Sequence, residues 1–560
     1  MSEAPGPRNV RGVADLIFVG RIRTFDPVRP LAGALAVRDG RILALGEPHD
    51  LDGLRGPRTV VADAGDGCVL PGFVEAHGHF VADGLGAAGG VVDVRPVTAP
   101  DAEAVLAAID AALATRPGTG VLANGWDALL QSGLPRPDLD WLDRRAPACP
   151  LVVLHNSGHL AYFNSAAARQ AGLDEHPGEG FGRTPQGTLD GTATGPAAIG
   201  LLTAPFATAL LGPGFTTAMA AQSARLAARG ITTMSDMGFA PAYRPALEAA
   251  RTAGAIRTRL RLYEPATPAL ASAVAPGAGD DLVRQVGIKV WADGSPWVGT
   301  LAATFPYLDT AATRALGLPP GHRAAPRYDH AELAEIFQAY GGAGWQLACH
   351  ANGDAAIDLA LDVWEELAPP PAGWPRLRLE HVSAMRQDQF ARAHALGVTC
   401  SLFPDHLHHW GEVLADELFG PEVAARWAPA GSAVRAGMRV SLHNDSPVTP
   451  ADPLHNVSVA ATRTTRRGRT LGAAERIGVA QALRAQTADA AWQLLAGDVV
   501  GTLAPGRYAD LAVLPADPLA VEPEAVAGLE VLATFLGGVA VHGGLPRHRG
   551  HPRTLGKDQR

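Results

Sequence analysis

Short apolar runs of strand length recur through the middle of the chain, separated by stretches with helical periodicity or turn residues. They fall at residues 73–79, 231–235, 258–263, 287–291, 346–350, 377–381, 398–403 and 440–444. Alternation of such runs with helical segments predicts a parallel α/β arrangement, and this set has the strand count of a (β/α)8 TIM barrel. Ser235, Tyr263 and Trp291, the ends of three successive runs, are spaced by about thirty residues, one βα unit. Two intervals are much longer. An insertion at about 80–230 carries the turn-like Asn124-Gly-Trp-Asp127 and Asn156-Ser-Gly-His159, and residues 293–328 are rich in Pro, Gly and Thr. Both follow strand C-termini, where barrels build their sites, and both are expected to be enlarged loops over a pocket.

The two ends of the chain show a different pattern. Residues 16–19 and 34–37 are short β segments, and Asp39-Gly40 between Val37 and Ile42 is a hairpin signal. Residues 510–514, 530–536 and 539–542 repeat this style. Neither end is large enough to bury a core alone, so residues 1–72 plus 496–560 are expected to form one composite β-sandwich, with the barrel at 73–495 between its halves. The basic, Gly- and Pro-containing stretch 547–560 is expected to be a frayed terminus.

Composition narrows the function. The chain has 560 residues, 47% hydrophobic and 18% charged, with a net charge of -9. That acidic balance argues against nucleic acid as the main partner. Residues 1–9 lack the apolar core of a signal peptide and there is no long apolar run, so a cytoplasmic location without a membrane partner is the expectation. The four cysteines, Cys68, Cys149, Cys349 and Cys400, lack Cys-x-x-Cys spacing and are expected to be free and apolar in role.

Candidate chemistry sits at the strand ends. His77 and His79 are two residues apart on a strand, share a face and can converge on a metal ion. Lys289, His350, His381 and Asp445 each follow or lie within an apolar run of a later strand. One such group is an ordinary structural residue, but six on five strands of one barrel form a constellation. A lysine within an apolar strand must be paired, be neutralised by a lowered pKa, or be modified. Addition of CO2 to its amine would give a carbamate able to bridge two metals.

The motifs Leu70-Pro-Gly-Phe-Val-Glu-Ala-His-Gly-His79, Gly158-His159 with Asn164-Ser165, Gly287-Ile-Lys-Val-Trp-Ala-Asp-Gly294, His350-Ala-Asn-Gly-Asp354, Glu380-His381 and Asp445-Ser-Pro-Val448 resemble those of the amidohydrolase superfamily, in its YtcJ-like or amidohydrolase-3 group. The resemblance runs from about residue 14 to residue 543. It implies a metal-dependent hydrolase with one or two divalent ions, Zn2+ being expected. His77, His79 and Asp445 would hold one ion and His350 and His381 a second, with N6-carboxylated Lys289 between them. A metal-activated hydroxide would attack, and Asp445 would act as base and then acid. His159 either donates to the substrate carbonyl or braces the inserted loop. Asp293 and Asp354 are expected to orient ligands. His443 departs from the group's pattern and is expected to point away from the site. His406, His408 and His409 are expected in a loop after the seventh strand, with one of them able to reach substrate.

The reading that follows is a hydrolase cleaving the C–N bond of an amide, formamide or other N-acyl compound. An ester, lactone or carbamate hydrolase and a decarboxylase are the rival enzymes, and a catalytically silent barrel scaffold is the non-enzymatic rival. The substrate is expected to be a small molecule contacted by Trp126, His159, Asp293, Trp297 and His406, in a partly apolar pocket that includes Phe305 and Tyr307. Self-association, if present, is expected to give a homodimer.

Overall fold

The computed structural model describes residues 12–549 other than 117–118, 174–177, 213 and 368–373. At its centre is an eight-stranded sheet, all parallel, made of β1 (Phe73–Glu75), β2 (Ile231–Met237), β3 (Arg259–Pro265), β4 (Val283–Trp291), β5 (Gln346–Ala351), β6 (Arg378–His381), β7 (Thr399–Leu402) and β8 (Val440–Leu442). Each strand pairs with its neighbour in chain order, from β1 through β8. The seam between β8 and β1 is closed by other means. The backbone N–H of Asn444 donates to Glu75 Oε1 at 2.9 Å, that of Asp445 to the His77 carbonyl at 3.2 Å, and that of His79 to the Ser446 carbonyl at 2.8 Å. The result is a TIM-barrel-like α/β fold.

Alternation places the strand residues. On β4, Ile288 and Val290 face outward into the core shared with the surrounding helices, and on β5 Leu347 and Cys349 do the same. Lys289 and His350, the intervening residues, therefore face the barrel axis. This parity delivers polar groups to the centre of an otherwise apolar barrel.

The two chain ends meet in one sheet. Strand Val60–Pro71 pairs in parallel with Leu16–Arg23 and antiparallel with Leu511–Leu514. The Asp39-Gly40 hairpin forms as expected, both residues at positive φ (51° and 73°), which suits a tight reversal. Residues 547–549, placed in the fraying tail from sequence, instead form the strand Arg547–Arg549 on Val60–Ala62. The rest of that stretch lies outside the described residues. Gly72 alone separates Val60–Pro71 from β1. A Cβ there would lie 2.2 Å from the Thr232 hydroxyl, so only glycine lets the chain pass so close to β2.

The insertion differs from its expectation. Residues expected as enlarged loop form a second folded layer, a six-stranded sheet in the order Phe181–Arg183, Leu189–Thr194, Leu160–Phe163, Leu151–His155, Val121–Trp126 and Val92–Asp93. The Asn124–Asp127 turn signal falls within and just after a strand. Gly125, at φ 124°, marks a register shift between Asn124 and Trp126, so its glycine reports a bulge rather than a reversal. All four cysteines are free, and three of them are buried. Among the described residues, no helix is long and apolar enough to cross a membrane.

Candidate metal centre

A cavity of about 400 Å³ opens at the C-terminal ends of the barrel strands, and His77, His79, Lys289, His350, His381 and Asp445 all line it. One nitrogen each from His77 and His381 and one oxygen of Asp445 lie within 4.8 Å of one another. Backbone geometry is part of this convergence. Alternation along β6 would turn His381 away from Arg378 and Glu380, but φ is 71° at His381 and 42° at Val382, and the left-handed turn returns the imidazole to the cavity. Asp445 likewise has φ 54°. Such conformations cost about 1–3 kcal/mol each and cluster at functional sites.

The donor set can be read from the hydrogen bonds. His77 Nδ1 lies 2.6 Å from Glu380 Oε2. Glu380 also receives Arg378 Nε at 2.5 Å and Nη2 at 3.0 Å, all of these groups being buried. A carboxylate only accepts, so His77 carries its proton on Nδ1 and its lone pair on Nε2. That lone pair faces Lys289 Nζ at 3.3 Å and Asp445 Oδ1 at 3.4 Å, while His79 Nε2 is 3.2 Å from the same oxygen. Asp445 Oδ1 is buried without a well-formed hydrogen bond. His350 Nε2 is 3.0 Å from both the Gly294 carbonyl and Asn352 Nδ2.

Electrostatics keep these groups in ligand form. Burial first, then the neighbouring Lys289 and the other imidazoles, pushes His77 well below the ordinary histidine range; His350 and His381 are lowered in the same way. Neutral imidazole is the metal-binding form. Burial alone would raise the Asp445 carboxyl, but His79, His443 and Lys289 outweigh it and hold it below the usual range. Burial brings the Lys289 amine down to about 8. Converging lone pairs around an orphaned carboxylate oxygen are a donor set that fits a divalent cation of the zinc type.

The other expected residues fall in several places. His159 reaches the cavity from the insertion, after the Gly158 turn (φ 69°), with its ring 4.7 Å from that of His350. Burial lowers it to about 4. Asp293 is under the cavity, accepting the backbone N–H groups of Asn352, Gly353 and Ala302 with Oδ1 3.4 Å from His350 Nε2. Asp354 instead anchors Thr304. Trp126 packs with Trp141 and Tyr162 inside the insertion. Trp297 stacks on Trp410, and His406 is buried against Phe403 and Trp297. Tyr307 is buried in the same apolar cluster as Trp297, with Phe305 packed against it. None of Trp126, Asp293, Trp297, Phe305, Tyr307 and His406 is among the residues lining the cavity.

Two site residues escaped the sequence reading. His443 does not point away: its Nε2 is 3.1 Å from His381 Nδ1, its Nδ1 is 2.7 Å from Ser401 Oγ, and its ring stacks on His77. The signal was Ser441 two residues earlier, which bonds the same Ser401 from the same strand face. Glu380 stands beside His381 in the Glu380-His381 motif, and its pairing with His77 joins two segments distant in sequence. His406, His408 and His409, expected in a loop, lie in the helix Pro404–Val413.

These observations define a parallel α/β barrel with a histidine and carboxylate centre at the C-terminal ends of its strands. The profile of the amidohydrolase family (Amidohydro_3) matches residues 60–542, and the chain belongs to that family. It is 28% identical to Protein LONG AFTER FAR-RED 3 of Arabidopsis thaliana, over 94% of this chain and 91% of that protein. It is 26% identical to N-substituted formamide deformylase of Arthrobacter pascens, over 94% and 97%. Among solved structures, an uncharacterized metal-dependent hydrolase from Pyrococcus horikoshii OT3 shares the fold with a TM-score of 0.70 at 22% identity, covering 91% of this chain and 99% of that one.

Proposed function

We propose that this protein is a zinc-type metal-dependent hydrolase that cleaves the C–N bond of an N-acyl compound, in the manner the name of its formamide deformylase relative describes. The observation that carries this reading is the convergence of His77, His381 and Asp445, with His79 at 3.2 Å from Asp445, in the cavity at the C-terminal ends of the barrel strands. His77, His79, His350, His381 and Asp445 would hold the metal, with Lys289 contributing as its N6-carboxylate. When bound, one or two divalent ions would polarise the acyl carbonyl and lower the pKa of water toward neutrality.

The chain's own groups divide the remaining work. Asp445 Oδ1, held as a carboxylate, accepts the proton of the attacking water and returns it to the leaving nitrogen. His159, neutral above about pH 4, offers an N–H to the substrate carbonyl. Leu122, Leu154, Ile199 and Leu210 from the insertion form an apolar wall that takes up the substituent and excludes water.

The test is turnover by metal-stripped and Zn2+-restored protein on matched formamides, longer N-acyl amines, esters, lactones and carbamates. Amine release that disappears on stripping and returns with Zn2+ is expected. Full activity without metal, or turnover confined to the esters, lactones or carbamates, would overturn the assignment.

A further inference from the structure

A second histidine cluster stands apart from the cavity. The helix Pro404–Val413, following β7, carries His408 and His409, and the helix Pro453–Thr462, following β8, carries His455 in its first turn. One nitrogen of each lies within 4.8 Å of the others, and all three rings are partly exposed. His408 is 4.5 Å from His455 and 4.9 Å from His409, ring centre to ring centre.

Ring packing alone would account for contact but not for the tautomers. His408 Nδ1 is 3.0 Å from the Thr464 carbonyl, an acceptor only, so the proton is on Nδ1 and the lone pair on Nε2. His455 Nε2 is 3.1 Å from Asp405 Oδ1, whose carboxyl is buried. Burial lowers the His455 pKa, but the Asp405 carboxylate outweighs it and raises the ring above the ordinary histidine value; when the ring is neutral, its proton stays on Nε2 beside that carboxylate and its lone pair is on Nδ1. A carbonyl behind one imidazole and a carboxylate behind another are the supports that fix metal-ligating histidines. These residues are separate from those around the cavity, and none of them lines it.

We propose that His408, His409 and His455 form a second metal site, binding a single borderline first-row divalent cation such as Zn2+ through three imidazole nitrogens, with solvent completing the coordination. The cation would pin the helix after β7 to the helix after β8. Its reach extends inward, because Asp405 Oδ2 also accepts Asn444 Nδ2 at 2.8 Å and Thr449 Oγ1 at 2.7 Å, and Asn444 immediately precedes Asp445. The site thus acts as a brace behind the loop that presents Asp445.

The experiment counts Zn2+ per chain in the full-length protein, equilibrated with low micromolar Zn2+ and washed, for wild type, His409→Gln, His455→Gln and His77→Ala. The glutamine variants are expected to lose about one equivalent while keeping the cavity metal, and His77→Ala to lose metal independently of them. Zinc-edge anomalous scattering from wild-type crystals should place a peak between the three rings. The same count in wild type and both glutamine variants, or no anomalous peak at the cluster, would overturn the proposal. The anomalous map decides the matter even if a variant fails to fold.

Discussion

His77 and Glu380 come from opposite parts of the chain and meet at 2.6 Å, Nδ1 to Oε2, inside the barrel. Their bond fixes which nitrogen of His77 faces the cavity. Glu380→Gln retains the shape but can present its amide N–H₂ to Nδ1, favouring the wrong tautomer. Metal affinity is expected to fall about 10- to 100-fold, with turnover falling in parallel. Metal retained after dialysis against graded chelator, measured beside the circular dichroism spectrum, checks this; unchanged retention would remove Glu380 from the role.

Lys289 is buried beside His77, Glu380 and Asp445, and burial lowers its amine to about 8, toward the neutral form that the proposed CO2 addition requires. Lys289→Ala is expected to lose nearly all turnover, and short carboxylates such as acetate or propionate are expected to restore part of it by replacing the carbamate oxygens. Activity of Lys289→Ala without any added carboxylate would contradict the bridging role.

The insertion should set substrate size. Leu154 lines the cavity, and a larger side chain there would intrude on the apolar wall. Leu154→Trp is expected to lower kcat/KM for bulky N-acyl substrates by about tenfold or more while affecting small formamides less. A uniform loss across substrate sizes would point to general distortion.

Asp517 ties the chain ends together. Its carboxylate, 3% exposed, accepts Arg23 Nε at 2.6 Å, Arg21 Nη1 at 3.2 Å and the Leu519 N–H at 3.0 Å. Burial raises its pKa, but Arg23 and the Leu519 N–H outweigh burial and hold it below the usual carboxylate value. A depressed folded pKa means the stabilisation is present above the unfolded value of about 3.9 and is lost as pH falls through the folded one. Asp517→Asn should cost about 1.5–3 kcal/mol at pH 7 and narrow its deficit toward pH 3. Denaturant melts across that range check it; a pH-independent deficit would show that the charge is not responsible.

The barrel was legible because eight apolar runs of strand length recur between helical stretches, and five of them carry ionisable groups within or just after the run, as in Gly287-Ile-Lys-Val-Trp291. The metal-centre residues share the same cavity for that reason. What stayed hidden depends on three-dimensional context. Gly125 reads as a turn but serves a bulge, and Trp126 and Trp297 read as pocket aromatics but fill cores. His443 enters the site because Ser401, on the neighbouring strand, holds its ring, a contact that pattern along β8 alone does not reveal. The left-handed turn at His381 defeats simple alternation in the same way.

Strand Val60–Pro71 leads directly into β1, and one of its flanking partners, Leu511–Leu514, is synthesised only after the whole barrel. On the ribosome, the segment bearing His77 and His79 therefore emerges long before its support is complete. A premature stop ahead of Leu511 would spare every proposed metal ligand in the sequence and still be expected to yield a protein that holds metal poorly, because the first two of those residues would hang from an unanchored strand.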